Sequence, residues 1–198
     1  MKSGLVVATM LVAFCEPVLA GEAGPYGYVS LGKALAHIDQ SGVDSQVVAS
    51  AGGANVASVV NRNPLAYKLS AGYQLTSRLG FEVGYGSTGS FSYSTSAPVS
   101  ARASEKPRFW EVVSVGTLNV GAGFSLTFRG GVANVHMTSN GTIAHFSGSK
   151  TEVTGGAGIK YSLGPNVSVR ADWDGFTAPG GARLGQINLV SAGIGYQF

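Results

Sequence analysis

Charge is scarce in this 198-residue chain: Asp, Glu, Lys and Arg together make up 12% of it, against roughly 25% in ordinary soluble domains. Much of the exterior therefore has to meet something other than water. Cysteine occurs once, at Cys15, which excludes an internal disulfide. After the first twenty residues no apolar run reaches about 18 residues, which excludes a membrane-spanning helix. The net charge of +3 includes no run of five Lys or Arg, so nothing points to nucleic acid. Three histidines and a lone cysteine make a zinc site improbable. The glycine clusters Gly121-Ala-Gly123 and Gly155-Gly-Ala-Gly158 fall in a hairpin turn and a strand. Neither leads into the helix that a phosphate-binding loop requires. No cofactor is expected.

What is present is period two. The last thirteen residues place Val190, Ala192, Ile194, Tyr196 and Phe198 on one face. The other face carries Leu189, Ser191, Gly193, Gly195 and Gln197, small or polar except for Leu189. Alternation means a β-strand. A face of Gly and Ser cannot build a packed apolar core, so the bulky row suits lipid outside and the small row a polar interior. A soluble barrel would need the opposite assignment.

The start of the chain reads as a secretory signal over residues 1–20: Lys2, an apolar stretch from Leu5 to Phe14, then Val18-Leu-Ala20. Residues 21–198 are then one domain. Along it the inverted pattern recurs. Leu65, Tyr67, Leu69, Ala71, Tyr73 and Leu75 alternate with Ala66, Lys68, Ser70, Gly72 and Gln74. Leu79, Phe81, Val83 and Tyr85 alternate with Gly80, Glu82, Gly84 and Gly86, in a strand that extends as far as Thr95. Between Arg108 and Val120, placing Trp110, Val112 and Leu118 outward turns Glu111 inward, together with Val113 and Val115. Phe124, Leu126, Phe128 and Val132 face away from Ser125, Thr127, Arg129 and Gly131; Val153 to Leu163 and Val167 to Trp173 repeat the scheme. The first strand, Tyr26 to Leu35, leaves open which row faces out, because Tyr26, Tyr28 and Lys33 blur it.

The count is eight strands. Tight turns at Thr76-Ser-Arg78, Gly121-Ala-Gly123 and Gly164-Pro-Asn166 alternate with longer connections, about 36–63, 96–107, 139–150 and 175–185. The expectation is an all-β, eight-stranded antiparallel up-and-down transmembrane β-barrel. Tyr73, Phe81, Phe124, Tyr161, Tyr196 and Phe198 fall where one aromatic girdle belongs, and Trp110 and Trp173 where the other does.

Ala71-Gly-Tyr-Gln74, Leu79-Gly-Phe-Glu-Val-Gly-Tyr85, Val167-Ser-Val-Arg-Ala-Asp-Trp173 and Gly193-Ile-Gly-Tyr-Gln-Phe198 together resemble the OmpA-type transmembrane β-barrel family and the small opacity-type surface barrels. The resemblance covers essentially all of the chain after the signal. It implies a Gram-negative outer membrane reached through the periplasm, and an interior ion pair between Glu82 and Arg170. Where relatives offer that Glu a competing Lys, this chain has Val115 or Thr117; where they carry an acid, it has Lys160. The closing aromatics Tyr196 and Phe198 resemble the signal read by the barrel-assembly machinery. The peptidoglycan-binding domain of some family members is not expected.

Nine charges are expected inside: Lys68, Arg129, Lys160 and Arg170 against Glu82, Glu111, Glu152, Asp172 and Asp174. Side chains fill an eight-stranded barrel, and enclosed charges must pair. The expectation is a plugged lumen; the alternative is a narrow or gated pore. A lipid A deacylase would need Ser, His and an acid. His136 with Thr138 or Ser139 resembles that pattern faintly, but Ser139 falls on the opposite face and no acid is near, so the chain is not expected to be an enzyme. The expected partners are outer-membrane lipid and lipopolysaccharide, with a host or envelope surface possible at the loops. The loop with Val43, Val47, Val48, Val56, Val59 and Val60 is the first candidate for that contact, and the state expected is a monomer.

Overall fold

The computed structural model describes residues 23–38, 58–61, 63–95, 101–141, 146–177 and 184–198. The expected signal, residues 1–20, and Val43 to Val56 of the first long connection lie outside them. The strands are β1 (Gly24–Ile38), β2 (Ser58–Asn61), β3 (Leu65–Gln74), β4 (Leu79–Thr88), β5 (Phe91–Thr95), β6 (Ala101–Gly121), β7 (Phe124–Gly141), β8 (Phe146–Ser162), β9 (Val167–Phe176) and β10 (Leu184–Gln197).

Ten segments make eight staves. β2 continues the line of β3, and β5 that of β4, because β2 pairs with β5 where β3 pairs with β4. Pro64 breaks the first line, having no N–H to give the ladder; its carbonyl accepts from the Ala34 amide at 3.0 Å. Every stave pairs antiparallel with its chain neighbours, and β1 pairs with β10 from Tyr26↔Gln197 to Ile38↔Leu184. That last ladder closes the ring, the up-and-down meander expected.

β1, the ambiguous strand, turns Tyr26 and Tyr28 inward and leaves Val29, Leu31 and Lys33 exposed. The reason is across the ladder. Tyr28 lies over Gly195, and Tyr26 over Gly72, at positions where a Cβ would collide with the ring. Phe109 over Gly86 and Glu111 over Gly84 repeat the device; a Cβ on Gly84 would sit 2.9 Å from the Glu111 Cγ. In a narrow barrel these four large inward side chains take the space that a neighbouring glycine vacates.

Three tight turns join the staves at one end. At β3–β4 the Thr76 Oγ1 accepts from the Arg78 and Leu79 amides at 3.3 and 3.0 Å. The β8–β9 turn is stitched to β10, with Asn166 Nδ2 donating to the Gln197 carbonyl at 2.7 Å and the Gln197 amide returning to Asn166 at 2.8 Å. At β6–β7 Ala122 sits at φ 51°, between Gly121 and Gly123 at 96° and 81°. A Cβ in this left-handed region costs about 1 kcal/mol, and asparagine tolerates it best after glycine. Ala122→Asn is therefore expected to stabilise the barrel by about 0.5–1 kcal/mol, read as a higher urea midpoint for the heat-modifiable folded band.

At the other end the strands run further than the sequence pattern suggested. β7 continues to Gly141, β6 begins at Ala101 and β8 at Phe146. The connections expected over 96–107 and 139–150 are thus partly ladder, and Val59 and Val60 belong to β2. β1 likewise reaches Ile38, while β10 begins at Leu184. The 18 residues of β7 are well above the about 9–11 that cross a bilayer.

Candidate functional site

Among the described residues the interior holds two layers of different chemistry. Near the tight turns a cavity of about 50 Å³ is lined by Gln74, Thr117, Lys160, Ser162 and Asn166 among others. Above it Tyr26 donates to Glu82 Oε1 at 3.1 Å, and the Tyr28 hydroxyl lies 2.6 Å from Ser168 Oγ. Arg170 then grips Glu82 with both terminal nitrogens, at 2.5 and 3.3 Å, and donates through Nε to Asp172 at 2.7 Å. Its guanidinium carbon stands 4.0 Å from the Tyr28 ring centroid.

From there the charges form one chain. The Arg129 Nη2 lies 3.0 Å from Asp172 and 2.8 Å from Asp174. Lys68 Nζ reaches Asp174 and Glu111, both at 2.8 Å. Three cations and four carboxylates, drawn from β3, β4, β6, β7 and β9, thus alternate in sign, and each of these side chains is at most 3% exposed. Alternation at this spacing lets burial be tolerated, because every ion has a counter-ion in contact.

The second layer is apolar. Ala34, Ala66, Phe91, Phe109, Ala133, Val135, Met137, Phe176, Ile187 and Leu189 pack into one cluster directly above the charges. Phe109 and Phe176 meet at 4.9 Å between ring centroids, tilted by 53°.

The outer surface carries the complementary pattern. Leu69, Val83, Val112, Phe128, Val132, Ile159 and Ile194 are exposed on the middle of the wall. Tyr73, Phe81, Phe124, Tyr161, Tyr196 and Phe198 are exposed near the tight turns, with Trp110 and Trp173 towards the other end. The outward row then changes character abruptly: Trp110 gives way to Arg108 and Lys106, Val132 to Asn134, and Val153 to Thr151. A broad apolar belt between aromatic girdles, on a wall with no open edge, suits a bilayer.

A family model for the outer membrane protein beta-barrel domain matches residues 6–198. The chain belongs to that family. Its likeness to solved barrels is one of fold. Ail, the attachment invasion locus protein of Yersinia pestis, is 15% identical, with 90% of this chain and 100% of that one covered and a TM-score of 0.60. Neisserial surface protein A is 16% identical, with 90% and 100% covered and a TM-score of 0.56. The N-terminal β-barrel domain of Pseudomonas aeruginosa OprF is 16% identical, with 89% and 100% covered and a TM-score of 0.51. No curated protein sequence matches. In outer-membrane barrels the short turns face the periplasm and the long connections face outward.

Of the nine charges read from the sequence, this outer-membrane barrel brings seven into one network: Lys68, Glu82, Glu111, Arg129, Arg170, Asp172 and Asp174. The other two stand apart. Glu152, on β8 near the outer end, pairs with Lys150 at 2.5 Å and accepts from Thr177 at 3.1 Å. Lys160 lines the periplasmic cavity and has no carboxylate within ion-pair distance among the described residues. Their separation follows from strand depth, which spacing along one strand does not convey.

Two features went unread in the sequence. The apolar layer had a signal in Leu189, the one bulky member of its inward row, and in the inward parity of Phe109, Val135 and Met137. His136 has hydroxyl partners that no local spacing shows: Ser149 Oγ lies 2.8 Å from Nδ1 and Ser147 Oγ 3.3 Å from Nε2, both across the β7–β8 ladder. The side chain of Ser139 lies outside the described residues.

Proposed function

We propose that this outer-membrane barrel is a closed, non-catalytic anchor whose outward strand ends and connections form an interaction surface. The observation that carries the reading is the unbroken stacking inside: the seven-member ion chain from Glu82 to Glu111, capped by Phe109 and Phe176. An ion entering from outside would first cross an apolar plug and then displace charges that already hold partners.

Planar-bilayer recording tests this. The purified barrel is expected to give no steady single-channel openings, and regular openings would establish the pore reading instead. His136 supports the non-catalytic assignment, since its described hydrogen bonds go to serine hydroxyls and none to a carboxylate that would orient it as a base. Export through the periplasm after cleavage behind Ala20, a monomeric state in the membrane, and delivery by the barrel-assembly machinery complete the proposal. The surface assigned to that machinery is the Tyr196–Phe198 pair, whose rings meet edge-to-face at 5.1 Å on the lipid side of the seam.

A further inference from the structure

Lys160 on β8 stands directly across the ladder from Arg170 on β9, and both border the cavity near the tight turns. Like charges opposed on one face of a sheet repel. Arg170 is offset by Glu82 and Asp172. Lys160 has no such offset, since no carboxylate lies within ion-pair distance of it among the described residues. Across its other ladder it meets Ser125, whose hydroxyl is already given to Asn119 at 2.7 Å. A half-buried ammonium beside a guanidinium calls for an anion.

The space for one is present. The cavity of about 50 Å³ has room for about three to five waters, at roughly 10–15 Å³ each. Thr117, Thr127 and Ser162 line it together with Lys160. These hydroxyls come from three neighbouring staves: Thr117 of β6 pairs with Thr127 of β7, and Thr127 with Gly158 of β8. Thr127 is 2% exposed, and its hydroxyl has no hydrogen-bond partner among the described residues. Glu82 also borders the cavity, but its Oε1 is held by Tyr26 and Arg170 and its Oε2 by Arg170. Ser162, Gly164, Pro165 and Asn166 at the rim are all exposed, so the way in is open.

From this arrangement we infer that the periplasmic mouth of the barrel binds phosphate, free or as the end of a phosphate ester. Lys160 supplies the charge, and one unpaired cation suits a monoanion. Thr117, Thr127 and Ser162 supply the remaining hydrogen bonds. A hydroxyl can donate to a phosphate oxygen or accept from a P–O–H, so the set suits a partly protonated phosphate. A carboxylate offers only two oxygens to four groups spread over three staves. An ester enters by its phosphate alone, because the cavity has no room for a sugar. That this mouth faces the periplasm rests on the outer-membrane reading; the binding itself does not.

The test titrates the full barrel, folded in a phosphorus-free detergent, with inorganic phosphate, glycerol phosphate and acetate, chloride holding the ionic strength constant. Broadening of the phosphorus resonance reads the first two directly. The urea midpoint of the heat-modifiable folded band reads all three, since a ligand of the folded state alone stabilises it. Phosphate should raise the parent's midpoint, and acetate should leave it nearly unchanged. Lys160→Met should bind phosphate about tenfold or more weakly, the loss of a charge-assisted hydrogen bond, with Lys160→Arg close to the parent. Thr127→Val, which keeps the side-chain shape, should weaken binding by a smaller factor. Without phosphate, Lys160→Met should be at least as stable as the parent, because its repulsion from Arg170 is gone. Lost binding is then not lost folding. Glycerol phosphate binding as tightly as phosphate would assign the site to an ester, and no binding of it would assign the free ion. Phosphate binding by Lys160→Met as tight as the parent's would overturn the proposal, as would a parent midpoint that phosphate leaves unmoved. Acetate acting as strongly as phosphate would also overturn it, leaving a general anion site. A parent with no folded band would overturn the barrel reading itself, and is seen before any phosphate is added.

Discussion

Arg170→Met is expected to lower the unfolding free energy of the barrel by about 3–5 kcal/mol, the cost of leaving buried charge without its partner. Arg170 is the group on which the lower network converges: it holds Glu82 through two nitrogens, Asp172 through a third, and packs its guanidinium on Tyr28. After substitution Glu82 keeps, among the described residues, only the Tyr26 hydroxyl as a hydrogen-bond partner, while Asp172 still has Arg129. Glu82 then carries most of the loss. Glu82→Met in the same background should restore much of the stability, since a neutral pair of similar volume no longer has a charge to solvate. Urea titration of the folded band for the two single variants and the double variant gives the coupling directly. Losses that simply add would show that Glu82 and Arg170 contribute independently, against the bidentate geometry.

Phe109→Ala is expected to cost a similar amount, about 3–5 kcal/mol, for a different reason. The ring is buried, lies against Phe176, and fills the space over Gly86. Its removal leaves a void in a rigid ring of ladders that cannot collapse, so both transfer energy and contacts are lost. Phe109→Leu should recover most of the loss. The alanine variant should still give no steady openings in a planar bilayer, because the Lys68–Glu111–Asp174 contacts below it remain. If Phe109→Ala conducted steadily, the apolar layer alone would be the seal, and the ion network a lining.

The fold was legible where the chain crosses lipid. A lipid-facing row and a lumen-facing row need opposite chemistries, so Leu65 to Leu75, Leu79 to Gly86 and Val167 to Asp174 declare themselves by alternation alone. Even Glu111, read against two inward valines, follows from the cost of a carboxylate in lipid. The structure places Val113 and Val115 inward and buried, 2% and 3% exposed, beside it.

The ends of the strands were not legible, and the reason is a change of phase in the pattern. Along β7 the outward row is Phe124, Leu126, Phe128 and Val132, then Asn134, His136 and Thr138; the inward row is Ser125, Thr127 and Arg129, then Ala133, Val135 and Met137. Where the wall leaves lipid for water, the outside must become polar, and the inside, no longer required to offset an apolar exterior, becomes an ordinary hydrophobic core. Reading a strand by one rule then ends it at the membrane, and the remainder looks like loop. The ladder from Ala103↔Gly141 to Gly121↔Phe124 shows that it continues.

By itself, then, the sequence determined the eight staves, their order and, for every stave but the first, which face meets lipid within the bilayer. Those follow from local periodicity and from the cost of exposing backbone or charge to hydrocarbon. Only the tertiary structure decided which charges touch. Glu82 meets Arg170, and Lys68 bridges Glu111 and Asp174, because closure of the ring brings distant staves to one depth. It also decided the direction of Tyr26 and Tyr28, which the glycines opposite them admit, and the partners of His136 across the β7–β8 ladder. Each of these depends on the stagger between strands, and stagger is set by the closed ladder as a whole.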